Sequence, residues 1–179
     1  MHRNGSLGEA ATGRLQAEAI DARFLQLDVT DRTTIRASAH QIESSFGKLD
    51  TLVNNAGTGS PLDGPVGKAD LSEVRRLFEV NFFGALEVTQ ALLPLLKKAR
   101  SARIVNVLSG LGSLTRNSDP AWEFAGVQMI GYNRSKAALN MATVLLAKEL
   151  ADSGIKVTRW RRASPPQQIL TAGASERKP

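Results

Sequence analysis

The 179-residue sequence has no cysteine, two histidines and one tyrosine. Without cysteine, disulfides, thiolate metal sites and cysteine nucleophiles are excluded, and the cytoplasm is the expected compartment. His2 and His40 are the only imidazoles, so we expect neither a metal site nor a Ser-His-Asp triad. No apolar run reaches the roughly 18 to 20 residues of a bilayer helix, and none follows Met1 as in a secretory signal, so no membrane contact is predicted.

Positive charge is concentrated at the C-terminal end of the chain. The net charge is +6, but six basic residues and a single acid, Glu176, lie from Lys156 onward, which leaves residues 1–155 close to neutral with interspersed signs. Such a body is not a polyanion-binding surface. The basic end lacks the interleaved aromatic residues and the amphipathic period of segments that bind nucleic acid or membranes. We therefore expect no nucleic-acid partner.

Helical and strand patterns alternate along the sequence. Apolar residues at helical spacing predict helices over residues 7–19, 31–47, 70–98 and 132–150, with Pro94 bending or breaking the third near its end. Short apolar runs predict strands at 23–29, 49–54, 102–108 and from 155. Strands that alternate with long helices imply a parallel sheet with helices on both faces, a doubly wound α/β fold.

Polar residues stand where these strands end, and in open parallel sheets ligands bind at that edge. Asp28, the N-N-A-G turn at 54–57 and Ser109 each follow a strand, and Tyr132 opens the last long helix. Lys136 lies four residues after Tyr132, on the same helix face. A nearby ammonium favours the phenolate, so Lys136 would lower the tyrosine pKa toward a value useful for proton transfer. Each motif alone also fits a cap, a turn or a surface pair; their joint order favours one shared site.

Four segments resemble successive signatures of the short-chain dehydrogenase/reductase family. They are V-N-N-A-G at 53–57, N-F-F-G at 81–84, I-V-N-V-L-S at 104–109 and Y-N-R-S-K at 132–136. The resemblance spans roughly residues 7–157 and is closest to the carbonyl reductases. It implies a Rossmann-type sheet and an NAD(P)-dependent oxidoreductase that transfers hydride between nicotinamide and a small-molecule carbonyl or alcohol.

The resemblance also implies roles for individual residues. Tyr132 would protonate the carbonyl oxygen and Ser109 would hydrogen-bond it. Lys136 would hold the ribose hydroxyls and lower the tyrosine pKa, and Asn81 would help to place Lys136 through water. Asp28 and Val29 would meet the adenine. The cofactor-binding set implied in this way is Asp28, Val29, Asn55, Ala56, Gly57, Tyr132 and Lys136.

The interval between Ser109 and Tyr132 resembles an insertion of the carbonyl reductases. Its Trp122, Phe124 and Met129 either line the substrate pocket or belong to a mobile lid. The oligomeric state stays open, because the family pairs through its long helices and this insertion could cover that surface.

The sequence departs from the family pattern at both ends. The family pattern begins with a Gly-rich β-α-β unit, which we do not find in this sequence. Because that unit binds the cofactor pyrophosphate, we expect residues 1–157 to form a partial Rossmann domain with impaired hydride transfer. Arg3 favours NADP, with NAD as the alternative. Residues 158–179 are predicted to be an irregular, disordered tail, since a one-base frame shift over 158–173 can encode the family's Pro-Gly turn. The rival interpretation is a non-catalytic remnant or pseudoenzyme that binds a protein partner.

Overall fold

The computed structural model describes residues 4–162. Its helices and strands follow one another along the chain as α1 Gly5–Ala17, α2 Arg32–Phe46, β1 Thr51–Asn54, α3 Leu71–Phe78, α4 Gly84–Lys97, β2 Arg103–Ser109, α5 Leu114–Asn117, α6 Ile130–Glu149 and β3 Lys156–Arg162. A π-helical turn, Glu79–Phe83, joins α3 to α4, and 3-10 turns occupy Gly110–Gly112 and Ala151–Ser153.

The three strands form one parallel sheet in the order β1-β2-β3, with helices on both faces. Arg103 of the central strand pairs with Thr51 on one side and Lys156 on the other. The carboxyl ends of the strands therefore meet at one edge, as the prediction of a doubly wound α/β fold requires. That prediction is confirmed.

Helix α2 shows how local chemistry sets helix ends in this chain. The Asp31 carboxylate accepts a 2.8 Å hydrogen bond from the Thr33 amide and caps the first turn. Gly47 ends the helix in the left-handed conformation, at φ 69°, which glycine adopts without steric cost. Between them, Ile35 and Ile42 are buried on one face. The helix predicted over residues 31–47 is confirmed.

The strand predicted at residues 23–29 is not formed, apart from a single bridge at Gln26. Side chains of α2 occupy its backbone groups instead: Ser38 donates to the Gln26 carbonyl at 2.9 Å, and the Thr34 hydroxyl accepts from the Asp28 amide at 3.0 Å. Leu25 still packs against the core. The apolar run that predicted a strand indicates contact with the core. This segment makes that contact without pairing its backbone with a neighbouring strand.

The long helix predicted over residues 70–98 is interrupted at a different place from the one expected. The interruption is the π-helical turn Glu79–Phe83, whereas α4 continues through Pro94 to Lys97. Pro94 and Gln90 are both exposed. The Gln90 carbonyl, which loses its helical partner at the proline, can therefore be hydrated, and the helix does not break.

Strand β3 runs to Arg162, five residues beyond the boundary expected at 157. Its added residues pair with β2, with Ser109 opposite Arg162. Backbone pairing does not depend on side-chain identity, and Thr158 and Trp160 also favour strands. The remainder of the predicted irregular tail, residues 163–179, lies outside the described residues.

The main core lies between the sheet and the helices. Its buried members are Ile35, Ile42, Leu52, Val88, Leu92, Leu95, Leu96, Ala102, Ile104, Leu150 and Ile155. No helix within residues 4–162 is long and apolar enough to cross a membrane.

Candidate active site

Asn81 lies in the π-helical turn and is fully buried. Its side-chain oxygen accepts from the Thr58 amide at 2.7 Å, and its amide nitrogen donates to the Thr58 carbonyl at 2.9 Å. The same nitrogen donates to the Ser135 hydroxyl at 3.1 Å. Asn81 thus ties the loop after β1 to helix α6. The wider π turn is the local feature that sets this side chain into the site, and such turns are frequent at functional sites.

Lys136 projects from α6 into the protein interior, with only 4% of its surface exposed. Its ammonium nitrogen donates to the Val107 carbonyl of β2 at 3.1 Å. A β-carbon added to Gly57 would lie 3.2 Å from that nitrogen and 3.4 Å from the Asn81 side-chain oxygen. Gly57, Asn81 and Lys136 therefore converge beyond the end of β1.

Ser109 is the last residue of β2, and its hydroxyl oxygen accepts from the Leu111 amide at 3.2 Å. Leu111 and Met129 form a small buried cluster with Tyr132, which is only 5% exposed. The turn that follows Ser109 therefore packs directly beside the tyrosine.

Two of the insertion's aromatic residues pack against this same cluster. Trp122 and Phe124 are partly buried there and meet edge to face, with ring centroids 5.5 Å apart. The Arg116 guanidinium lies 5.9 Å from the Trp122 ring centroid. Met129 thus belongs to the cluster that contains Tyr132, and Trp122 and Phe124 pack against that cluster. Whether the three residues line the substrate pocket or belong to a lid stays a prediction.

A groove of about 630 Å³ lies beyond the carboxyl end of β1. Five residues of the predicted cofactor-binding set line it: Asp28, Val29, Asn55, Ala56 and Gly57. Arg76 of α3 also lines the groove and forms a 3.0 Å ion pair with Glu73. Hydrogen bonds from Arg76 and from Ser60 hold the pKa of the Glu73 carboxyl below its usual range.

The structure brings the predicted residues into two adjoining groups. One is the groove with Gly57, Asn81 and Lys136 at its end, and the other is Tyr132 in the apolar cluster beside the Ser109 turn.

Thr58, Ser135 and Arg76 were not predicted as site residues from the sequence. The Asn81 partners are 23 and 54 residues distant along the chain, so no local pattern reports them. For Arg76, the sequence offers only its position: a positively charged residue on the predicted helix that leads into the N-F-F-G segment.

Comparison with known proteins agrees with this arrangement. The chain matches the short chain dehydrogenase family over residues 1–161. It is 38% identical over 136 residues to Short-chain dehydrogenase anuI of Penicillium roqueforti, covering 73% of this chain and 53% of that protein. It is 41% identical over 107 residues to Carbonyl reductase [NADPH] 1 of Homo sapiens, covering 60% of this chain and 37% of that protein.

A solved structure shows the same likeness in three dimensions. The NADPH-bound carbonyl reductase from chicken fatty liver superposes with a TM-score of 0.75 at 28% identity, over 88% of this chain and 64% of that one. The chain spans about half the length, or less, of the curated relatives named above. Matched along nearly all of its described length, the chain belongs to the short-chain dehydrogenase/reductase family.

Proposed function

We propose that the protein containing this chain is an NAD(P)-dependent oxidoreductase that interconverts a small-molecule carbonyl compound and its alcohol. The observation that carries the proposal is the convergence of Gly57, Asn81 and Lys136 at one end of the groove. Tyr132 lies one helical turn before Lys136 on α6. An ammonium and a phenol at this spacing, beside a groove at the carboxyl edge of a parallel sheet, suit proton transfer to a bound ligand.

The groove residues fit a nicotinamide dinucleotide. Gly57 has no side chain, so its backbone can lie close to the Lys136 ammonium, which a β-carbon would crowd at 3.2 Å. Asp28 and Val29, which also line the groove, would contact the adenine. When bound, such a cofactor supplies hydride to the carbonyl carbon or accepts it from the alcohol. We propose NADP, which the chicken relative binds as NADPH, with NAD as the alternative; Arg3 lies outside the described residues.

Tyr132 is the proposed proton donor and acceptor, and its neighbours assist it. Lys136 would stabilise the phenolate and donate to the ribose hydroxyls; its ammonium nitrogen also donates to the Val107 carbonyl. The Ser109 hydroxyl oxygen accepts a hydrogen bond from the Leu111 amide. The hydroxyl hydrogen would be donated to the substrate oxygen. Asn81 holds the loop and α6 together around these groups.

The test is hydride transfer by the protein as its gene encodes it, followed through NADPH absorbance with a panel of ketones and aldehydes. Tyr132→Phe removes the proton donor, so kcat should fall by about 10²–10⁴-fold. Lys136→Met should also reduce kcat, whereas Lys148→Met, the same change at an exposed position of α6, should not.

Loss of activity in the Lys148 control, or full activity of Tyr132→Phe, would refute this assignment.

The cytoplasmic compartment expected from the absence of cysteine stays a prediction.

A further inference from the structure

Helix α6, which carries Tyr132, lacks a capping side chain of its own. Its N-cap residue, Met129, has an extended backbone and offers no side-chain oxygen. The first amides of a helix have no partner within the helix and need an external acceptor. For α6 those acceptors come from a loop more than 60 residues earlier in the sequence.

Asp63 supplies most of them. One carboxylate oxygen accepts from the Gly131 amide at 2.8 Å, and the other accepts from the Tyr132 amide, also at 2.8 Å. The adjacent Gly64 carbonyl accepts from the Ile130 amide at 3.1 Å. Three successive amides of the first turn are therefore held by two neighbouring loop residues. Asp63 is only 8% exposed, so its charge faces the positive end of the helix with little screening by solvent.

Gly131 makes this close approach possible. A β-carbon at position 131 would lie 3.3 Å from both Asp63 carboxylate oxygens and 2.7 Å from a terminal methyl of Leu77. Leu77 is itself fully buried, so it has little space into which to move. Gly131 therefore donates its amide to the Asp63 carboxylate, and its lack of a β-carbon allows the carboxylate to come this close.

The loop that carries Asp63 is anchored at its other end to the candidate site. Thr58 exchanges two hydrogen bonds with Asn81, as described above. Between these anchors the Asp63 amide donates to the Ser60 carbonyl at 3.2 Å. One short loop therefore connects Asn81 to the backbone of Tyr132.

We infer that Asp63 is a positioning residue, which fixes the backbone of Tyr132 and through it the direction of the phenol ring. This inference rests on the proposed function of Tyr132. Asp63 contacts the Tyr132 amide and takes no part in proton transfer.

The experiment uses the chain with its single tyrosine labelled in the ring, so that NMR reports Tyr132 alone. Asp63→Ala should displace the ring signals and speed amide exchange at Tyr132 about tenfold, because both carboxylate bonds are lost. The matched control is Asp31→Ala, which removes the equivalent cap of α2 and should leave the Tyr132 ring signals unchanged. If Asp63→Ala does not fold, Asp63→Asn, which keeps one acceptor oxygen, should give a smaller displacement.

Kinetics give a second readout in the protein as its gene encodes it. Asp63→Asn should lower kcat about tenfold or more, while KM for NADPH stays within about twofold, because a misdirected catalytic group slows the chemical step. Ring signals unmoved in both Asp63 variants would overturn the inference. Absence of hydride transfer in the unsubstituted protein would instead refute the proposed function, and the ring signals would still decide whether Asp63 orients Tyr132.

Discussion

Gly112, in the 3-10 turn after β2, offers the most demanding test of how α6 is packed. A β-carbon at this position would lie 2.7 Å from the carbonyl carbon of Lys136 and 2.9 Å from the Ala137 nitrogen. Real β-carbons essentially never come within 3.0 Å of a heavy atom outside their own and the adjacent residues, and these two neighbours are backbone atoms that cannot rotate away. Gly112→Ala must therefore push the turn and α6 apart.

The expected cost follows from that geometry. Overpacking of a close-packed interior costs about 1–3 kcal/mol, and contact with immovable backbone favours about 3 kcal/mol here. For a chain of this size, that loss lowers Tm by about 6–12 °C. Because the displaced segment includes Lys136, its hydrogen bond to the Val107 carbonyl should weaken as well.

Urea unfolding and thermal melts of the folded chain measure the effect. The control is Gly126→Ala, since a β-carbon there would meet nothing within 4 Å and should change the free energy of unfolding by less than about 0.5 kcal/mol. If Gly112→Ala were as stable as the control, the close contact between the 3-10 turn and α6 would be refuted.

Two further predictions concern hydrogen bonds of buried and exposed polar groups. Asn106 is buried; it accepts a 2.8 Å hydrogen bond from the Asn54 side-chain amide and donates one of 2.9 Å to the Thr143 hydroxyl. Because Asn106→Leu leaves the buried Asn54 donor without that acceptor, it should lower the free energy of unfolding in urea by about 1–3 kcal/mol. A loss below about 0.5 kcal/mol would contradict this network. Hydrogen bonds from the Ser72 hydroxyl and amide hold the pKa of Asp70 below its usual range. This cap therefore stabilises α3 above the unfolded-state pKa and is lost as pH falls through the lower folded-state pKa; Asp70→Asn should flatten that acid dependence in circular-dichroism titrations.

Features governed by neighbouring residues were predictable from the sequence. The ends of α2 follow from Asp31 and Gly47, which act within one turn of the helix. The parallel α/β class follows from the alternation of helical and strand periods. The N-N-A-G turn of the groove follows from its place after β1, because parallel strands present their carboxyl ends at one edge. Asp28 lines the groove although the strand predicted before it is not formed, and Val29 was implied only by the resemblance to the family.

Features that depend on distant partners were not predictable. Residues 23–29 have a strand-like composition, yet Ser38 and Thr34 of α2 take backbone groups that a strand would pair. The π turn at Asn81 was hidden within a continuous helical pattern. Asp63 lies in a Gly/Pro-rich loop with nothing local to mark it, since its bonds reach α6 68 and 69 residues further along the chain.

The proposed function depends on the effect of the Lys136 ammonium on Tyr132. The phenol of the only tyrosine in the sequence can be titrated directly by ultraviolet absorbance. Lys136→Met removes the ammonium, so the pKa of Tyr132 should rise in the folded chain. Lys148→Met, an exposed change on the same helix, should leave it unmoved. A Tyr132 pKa that is the same with and without Lys136 would contradict the proposed role of Lys136.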